Sequence, residues 1–103
     1  MNKIYMSFNN YRFKLVIVNI DSKLMSIEDK VFHIDETEAN RLLNIIDTLS
    51  NDDRGRSLDP VRISITTEKN GEISLFQSNS NRCKGFSELD DWIGEMYGRY
   101  IWL

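Results

Sequence analysis

One histidine, one cysteine and two groups of acidic side chains are the residues of this 103-residue chain that could serve a reaction or a binding site. The histidine, His33, lies between Phe32 and Ile34, directly ahead of a predicted helix. A metal site would need a second histidine or a cysteine pair beside it, and the sequence has neither. A general base would need a nucleophile and an orienting acid nearby. The sequence therefore favours a structural role for His33, with its ring satisfied by a neighbouring group.

The single cysteine, Cys83, lies in a polar stretch between Arg82 and Lys84. Two flanking cations favour the thiolate, which is the nucleophilic form of this side chain. A thiol enzyme also needs a base that the fold holds in place, so an incidental loop cysteine is the simpler interpretation. Because one cysteine cannot form an intrachain disulfide, the composition favours a reducing cytoplasm.

The acids form the larger candidate site. Paired carboxylates can act as general acid and base or hold a divalent metal, but the calcium-loop pattern is absent and no glycine-rich phosphate loop exists. We therefore expect no metal and no cofactor. Helix capping and a solvated helix face explain most of these acids, and the remaining interpretation is an acidic surface that docks onto a basic partner. The residues of this predicted surface are Asp52, Asp53 and Asp59 in the central loop and Glu88, Asp90, Asp91 and Glu95 on the last helix.

Charge and hydropathy argue against nucleic-acid binding, a membrane helix and a signal peptide. The net charge of -3 and the pI of about 5.1 argue against direct nucleic-acid binding, which needs clustered Lys and Arg. The longest apolar run, "LVIVNI", is far shorter than the roughly 20 residues of a membrane helix. The first ten residues, "MNKIYMSFNN", lack the features of a signal peptide. The sequence predicts one cytoplasmic domain that covers residues 1–103.

Alternating hydrophobicity predicts the strands. Residues 3–8 and 11–20 form the first two, joined by a tight turn at Asn9-Asn10. Residues 21–30 are predicted as a loop, in which 24–27 would be at most a short irregular strand, and β character returns at 31–34. Asn70-Gly71 is a strong hairpin signal between two further strands. In the second strand we expect one face to carry Tyr11, Phe13, Leu15 and Ile17. The other face carries Val16, Val18 and Ile20, so we expect the second half of this strand to be covered on both sides and the strand to be central.

Two helices complete the pattern. Asp35 is the predicted N-cap of the first, with Glu38 in the capping-box position, and this helix is predicted to end at 50–53. Ser87 and Asp90 are predicted to cap the second helix in the same way, which would place three of its acids in the first turn. The glycine Gly98 either ends this helix or allows close approach of a neighbouring backbone. The apolar stripe of the second helix is Leu89, Trp92, Ile93, Met96, Tyr97 and Tyr100.

The element order β-β-(β)-α-β-β-α predicts an α+β fold, a two-layer sandwich. We expect an antiparallel sheet of about four to five strands with both helices on one face. The other face would be partly open, and the residues that could line it are Tyr5, Arg12, Lys14, Arg62 and Thr66.

In size, element order and its acidic helix "SELDDWIGEMY", the chain resembles bacterial immunity proteins of contact-dependent growth inhibition and related toxin systems. The resemblance implies a cytoplasmic protein that binds a cognate toxin, often a basic nuclease, and blocks its active site or its access to substrate. Carboxylates would mimic substrate phosphates, and buried aromatic residues would anchor the contact. The resemblance brings no defined site residues with it.

Two other functions stay open. A small enzyme would use Cys83, His33 or paired acids, and it requires a pocket in which these groups meet. An adaptor or subunit would dimerise through the open sheet face or through the C-terminal tail "RYIWL".

Overall fold

A computed structural model describes residues 2–50, 62–78 and 83–102. Within them the chain forms strands and helices in the order β-β-β-β-α-β-β-α. Their bounds are β1 Lys3–Asn9, β2 Leu15–Asn19, β3 Leu24–Ile27, β4 Lys30–His33, α1 Glu36–Thr48, β5 Arg62–Lys69, β6 Glu72–Ser78 and α2 Phe86–Tyr100. None of the described helices is long and apolar enough to cross a membrane.

The described strands form one open sheet of six strands in the order β4-β3-β2-β1-β5-β6, and all neighbours are antiparallel. The predicted α+β class is confirmed, but the predicted count of four to five strands is wrong. The polar stretch between β2 and β4 is not a loop, because Lys23 and Glu28 adopt φ values of 60° and 57° and make the turns of two successive hairpins. These turns convert residues 24–27 into a regular strand.

The second strand lies between β3 and β1, as expected of a central strand, but its start and its faces differ from the prediction. It begins at Leu15, and the preceding residues form a loop in which Asn10 has a φ of 66°. Its core face is Val16 and Val18, both 0% exposed, whereas Leu15 is 41% exposed. The predicted apolar face therefore splits, with Phe13 buried in the loop and the strand presenting its alternate residues to the core.

One face of the sheet is buried beneath the helices and the other is open. The core-facing strand residues are Ile4, Met6, Phe8, Val16, Val18, Met25, Ile27, Ile63 and Ile65, each at most 5% exposed. The strand register places Leu15, Val31, Ile73 and Leu75 on the opposite face, where they are all exposed. Tyr5, Arg62 and Thr66 lie on this open face as expected, whereas Arg12 and Lys14 lie in the loop before β2.

The first helix and the last hairpin confirm their sequence signals. Asp35 caps α1, and both hydrogen bonds of the capping box with Glu38 are present. The helix ends at Thr48, slightly earlier than predicted. Asn70 and Gly71 have φ values of 53° and 84°, as a two-residue hairpin turn requires.

Candidate protein-binding surface

The second helix carries four of the seven predicted binding residues, and its start differs from the prediction. Gly85 is the N-cap, with a φ of 91°, and no side chain caps the helix. A Cβ atom on Gly85 would lie 3.0 Å from side-chain atoms of Leu49 and Thr48, so the chain needs glycine here to pass the end of α1. The predicted cap by Ser87 and Asp90 is therefore wrong, because the helix begins before Ser87. Glu88 is the acid in the first turn.

The inner side of α2 anchors it to the core. Leu89, Trp92, Ile93 and Met96 are all 0% exposed, as the predicted stripe requires. Burial of such side chains contributes about 1.5–3 kcal/mol each. The indole nitrogen of Trp92 donates a hydrogen bond of 3.1 Å to the carbonyl oxygen of Glu38, which links the two helices.

Asp90 is hydrogen-bonded to two residues of the loop before β2. The hydroxyl of Tyr11 donates to Asp90 Oδ1. Arg12 Nη2 donates to the same oxygen at 2.9 Å and to the backbone carbonyl of Asp90 at 3.2 Å. Burial above all, and then the hydrogen bond to Asp90, raise the pKa of the Tyr11 hydroxyl above its usual 10.0. The carboxylate of Asp90 therefore holds the loop against α2, and its charge is balanced within the molecule.

Glu95 also has an internal partner. Its Oε2 atom lies 2.6 Å from Arg41 Nη1 on α1, and the two side chains are 42% and 48% exposed. A surface pair of this kind contributes at most about 1 kcal/mol. Water and a partner can reach Glu95, but Arg41 reduces the negative potential around it.

Glu88 and Asp91 are exposed and form no ion pair with any residue in the described part of the chain. They are three positions apart on α2, so their side chains lie on the same side of the helix. Both line a shallow groove between α1 and α2, together with Arg41, Asn44 and Ile45. Among the predicted residues that the structure describes, these two carboxylates are the ones that are exposed and have no cationic partner in the described part of the chain.

The three acids predicted from the central loop, Asp52, Asp53 and Asp59, lie outside the described residues. Their contribution to the surface stays a prediction.

The sequence predicted Glu38 only as a cap, but its side chain does more. It is 3% exposed, and its Oε1 atom accepts hydrogen bonds from the Tyr100 hydroxyl at 2.6 Å and from the Asp35 amide at 2.8 Å. Its Oε2 atom accepts from Arg99 Nη1. Glu38 thus joins the start of α1 to the end of α2. The local spacing gave no sign of this, because the partners are 61 and 62 residues away.

Cys83 and His33, the thiol and the imidazole that an enzyme would use, do not meet. Cys83 is 5% exposed and belongs to the core on the helical side of the sheet. His33 is exposed and lies opposite Leu24, a register position on the open face. The sheet therefore stands between the thiol and the imidazole. Among the described residues no group of three or more His, Cys, Asp or Glu side chains is arranged to hold a metal ion.

Comparison with known proteins adds no relative. No family model matches the chain, and neither the curated proteins nor the solved structures include a significant match.

Proposed function

We propose that this chain is a cytoplasmic immunity protein that binds a cognate, basic toxin domain, such as a nuclease, and blocks its active site or its access to substrate. In this proposal the chain transforms no substrate itself. The observation that carries the proposal is the pair of exposed carboxylates, Glu88 and Asp91, on a helix whose opposite side is fully buried.

The helix supports such a role because both of its ends are held. Near its start Asp90 binds Arg12 and Tyr11, and near its end Arg99 binds the buried Glu38. A rigid helix loses little conformational entropy when it binds, so more of the contact energy appears as affinity. Carboxylates fixed in this way can occupy the positions of substrate phosphates in a cationic cleft and speed association.

The remaining predicted residues extend this surface in the proposal. Glu95 continues the line of acids along α2, and Asp90 acts indirectly by holding the helix. Asp52, Asp53 and Asp59, in the segment that the sequence predicts as a loop, would add further negative charge. Ile45 is the partly buried side chain beside Glu88 and Asp91 that would provide an apolar contact.

Co-expression with a candidate toxin domain, such as one encoded beside the gene for this chain, tests the proposal. We expect the two proteins to co-purify and the cells to survive toxin expression. If no complex forms and the toxin kills the cells as fast as without this chain, the immunity function is excluded.

Charge reversal then tests the surface. The double variant Glu88→Lys/Asp91→Lys should weaken toxin binding by about 10- to 100-fold, mainly through slower association, and reduce its salt dependence. The matched control, Asp29→Lys/Asp47→Lys, makes the same change of charge at two exposed acids elsewhere, and we expect a much smaller effect. Calorimetry at low and high salt measures the toxin affinity of the two double variants and its salt dependence. Equal losses in the two double variants would show that only net charge matters.

A second candidate function, an adaptor or subunit, has its own observation. Most of the large hydrophobic side chains that are exposed in the described residues lie on the open sheet face, and Trp102 in the C-terminal tail is 76% exposed. Isolated apolar residues are common on protein surfaces. Two of these residues, Ile73 and Leu75, lie on the same edge strand, β6, where another strand could pair.

A further inference from the structure

The two edges of the sheet are not equivalent. Strand β4 is four residues long and begins with Lys30, and both features discourage pairing with another chain. Strand β6 has seven residues, contains neither lysine nor proline, and keeps an unbroken register with β5 from Lys69↔Glu72 to Ile63↔Ser78. Short length, lysine and proline, which natural sheets use to protect their edges, are therefore missing from β6 itself.

The hairpin geometry determines which backbone groups of β6 point outward. The pair that flanks a two-residue turn, here Lys69 and Glu72, is hydrogen-bonded, and such pairs alternate with non-bonded ones along an antiparallel ladder. The N–H and C=O groups of Ile73 and Leu75 therefore point away from β5. The side chains of these two residues are 72% and 59% exposed. Backbone donors, acceptors and apolar side chains thus coincide on one stretch of the edge.

We infer that two copies of this chain associate through β6, with the two strands antiparallel about a two-fold axis at Ser74. In this register Ile73 of each copy lies opposite Leu75 of the other. The outward backbone groups of both residues are then paired, and the two apolar side chains meet on the open face.

Charge and symmetry favour a second copy as the occupant. Glu72 is the single charged residue of β6, and in this register the two copies of Glu72 lie at opposite ends of the paired strands, so like charges stay apart. A two-fold contact between identical strands also closes on itself, whereas pairing of β6 with β4 would build an open filament.

The size of the contact sets the expected affinity. Pairing along one short strand covers roughly half of the 800 Å² per partner that is typical of a stable interface. We therefore expect a reversible dimer with a Kd in the range of about 10–100 μM.

Sedimentation velocity of the full chain between about 5 μM and 1 mM tests the association. The wild type should shift from monomer to dimer, and Leu75→Lys should raise the Kd at least 10-fold by placing a charge at the contact. Val31→Lys is the matched control, because Val31 is 67% exposed on the same face but on the other edge strand. A wild type that stays monomeric throughout, or equal effects of the two variants, would overturn the inference.

Oxidative cross-linking tests the register. The two Ser74 residues would lie opposite each other in a non-bonded pair with Cα atoms about 4.5 Å apart, within the range that a disulfide spans. Ser74→Cys should therefore yield a covalent dimer, whereas Glu72→Cys should not, because its two copies are separated by more than about 13 Å along the strands. Native Cys83 is buried and is present in both variants. Equal yields would exclude this register.

The dimer and the proposed toxin contact are separable. Glu88 and Asp91 lie in the helical layer, whereas Leu75 lies on the open face of the sheet. Leu75→Lys should leave toxin binding unchanged, and Glu88→Lys/Asp91→Lys should leave the dimer unchanged, so either idea can fail without the other.

Discussion

At the scale of single residues, the loop before β2 shows how a local pattern can be overridden. Residues 11–14 alternate like a strand, but the rings of Tyr11 and Phe13 contact Phe86 and Tyr97 of α2 at centroid distances of 5.7 Å and 5.0 Å. The loop therefore leaves the sheet and covers the side of the helix, where Arg12 reaches Asp90. These contacts join positions 75 to 84 residues apart, which no short-range periodicity can indicate.

Tyr11 should make the stability of the fold depend on pH in the alkaline range. Its folded-state pKa lies above the unfolded value of 10.0, so its contribution is fully present below about pH 10 and is lost as the pH rises further. We expect Tyr11→Phe to cost about 1–2 kcal/mol at neutral pH, and the gap to wild type should narrow above about pH 10. Urea unfolding at several pH values measures this difference in the free energy of unfolding between wild type and Tyr11→Phe. A gap that stays constant up to about pH 11.5 would mean that the hydroxyl does not titrate with folding.

At the scale of elements, the two glycines in α2 have different environments. Gly98 lies inside the helix, which continues to Tyr100, and a Cβ atom there would meet none of the described residues within 4 Å. A Cβ atom on Gly94 would lie 2.7 Å from Arg12 Nη2. Gly94 therefore gives room to the guanidinium that binds Asp90, while Gly98 neither ends the helix nor lies against the backbone of another described element.

The two glycines should respond differently to alanine. Gly98→Ala should stabilise the fold by about 0.5–1 kcal/mol, because alanine favours the helix and restricts the unfolded chain. Gly94→Ala should gain about 0.5–1 kcal/mol less, because Arg12 must move away from Asp90. Chemical denaturation gives both values. In an Arg12→Ala background the two substitutions should become equivalent, and a persistent difference would show that Arg12 is not its cause.

At the scale of the whole molecule, the helical layer is fastened at two places. At one end Glu38 binds Arg99 and Tyr100. At the other end Gly85 lies close to Leu49, and next to this contact Ser50 and Lys84 form a backbone bridge. Because the helices run antiparallel, these two connections lie at opposite ends of the layer and should make it unfold as one unit.

Glu38 is the test of this cooperative layer. Glu38→Ala should cost about 3 kcal/mol, since it removes a cap and several hydrogen bonds to a buried carboxylate. Glu38→Gln keeps the shape and some acceptors and should cost about 1–2 kcal/mol. Amide hydrogen exchange should show α1 and α2 losing protection together in both variants. Loss of protection confined to the first turn of α1 would reduce Glu38 to an ordinary cap.

The sequence by itself determined the α+β class, the capped first helix, the Asn70-Gly71 hairpin and the buried stripe of α2, because each depends on residues only a few positions apart. Tertiary structure decided that residues 24–27 form a regular strand, β3, and that β2 begins at Leu15. It also determined which acids stay available, because Arg12, Arg41 and Arg99 meet their carboxylates across more than 50 residues of sequence. Such pairings are set by the packing of whole elements, and local spacing carries no information about them.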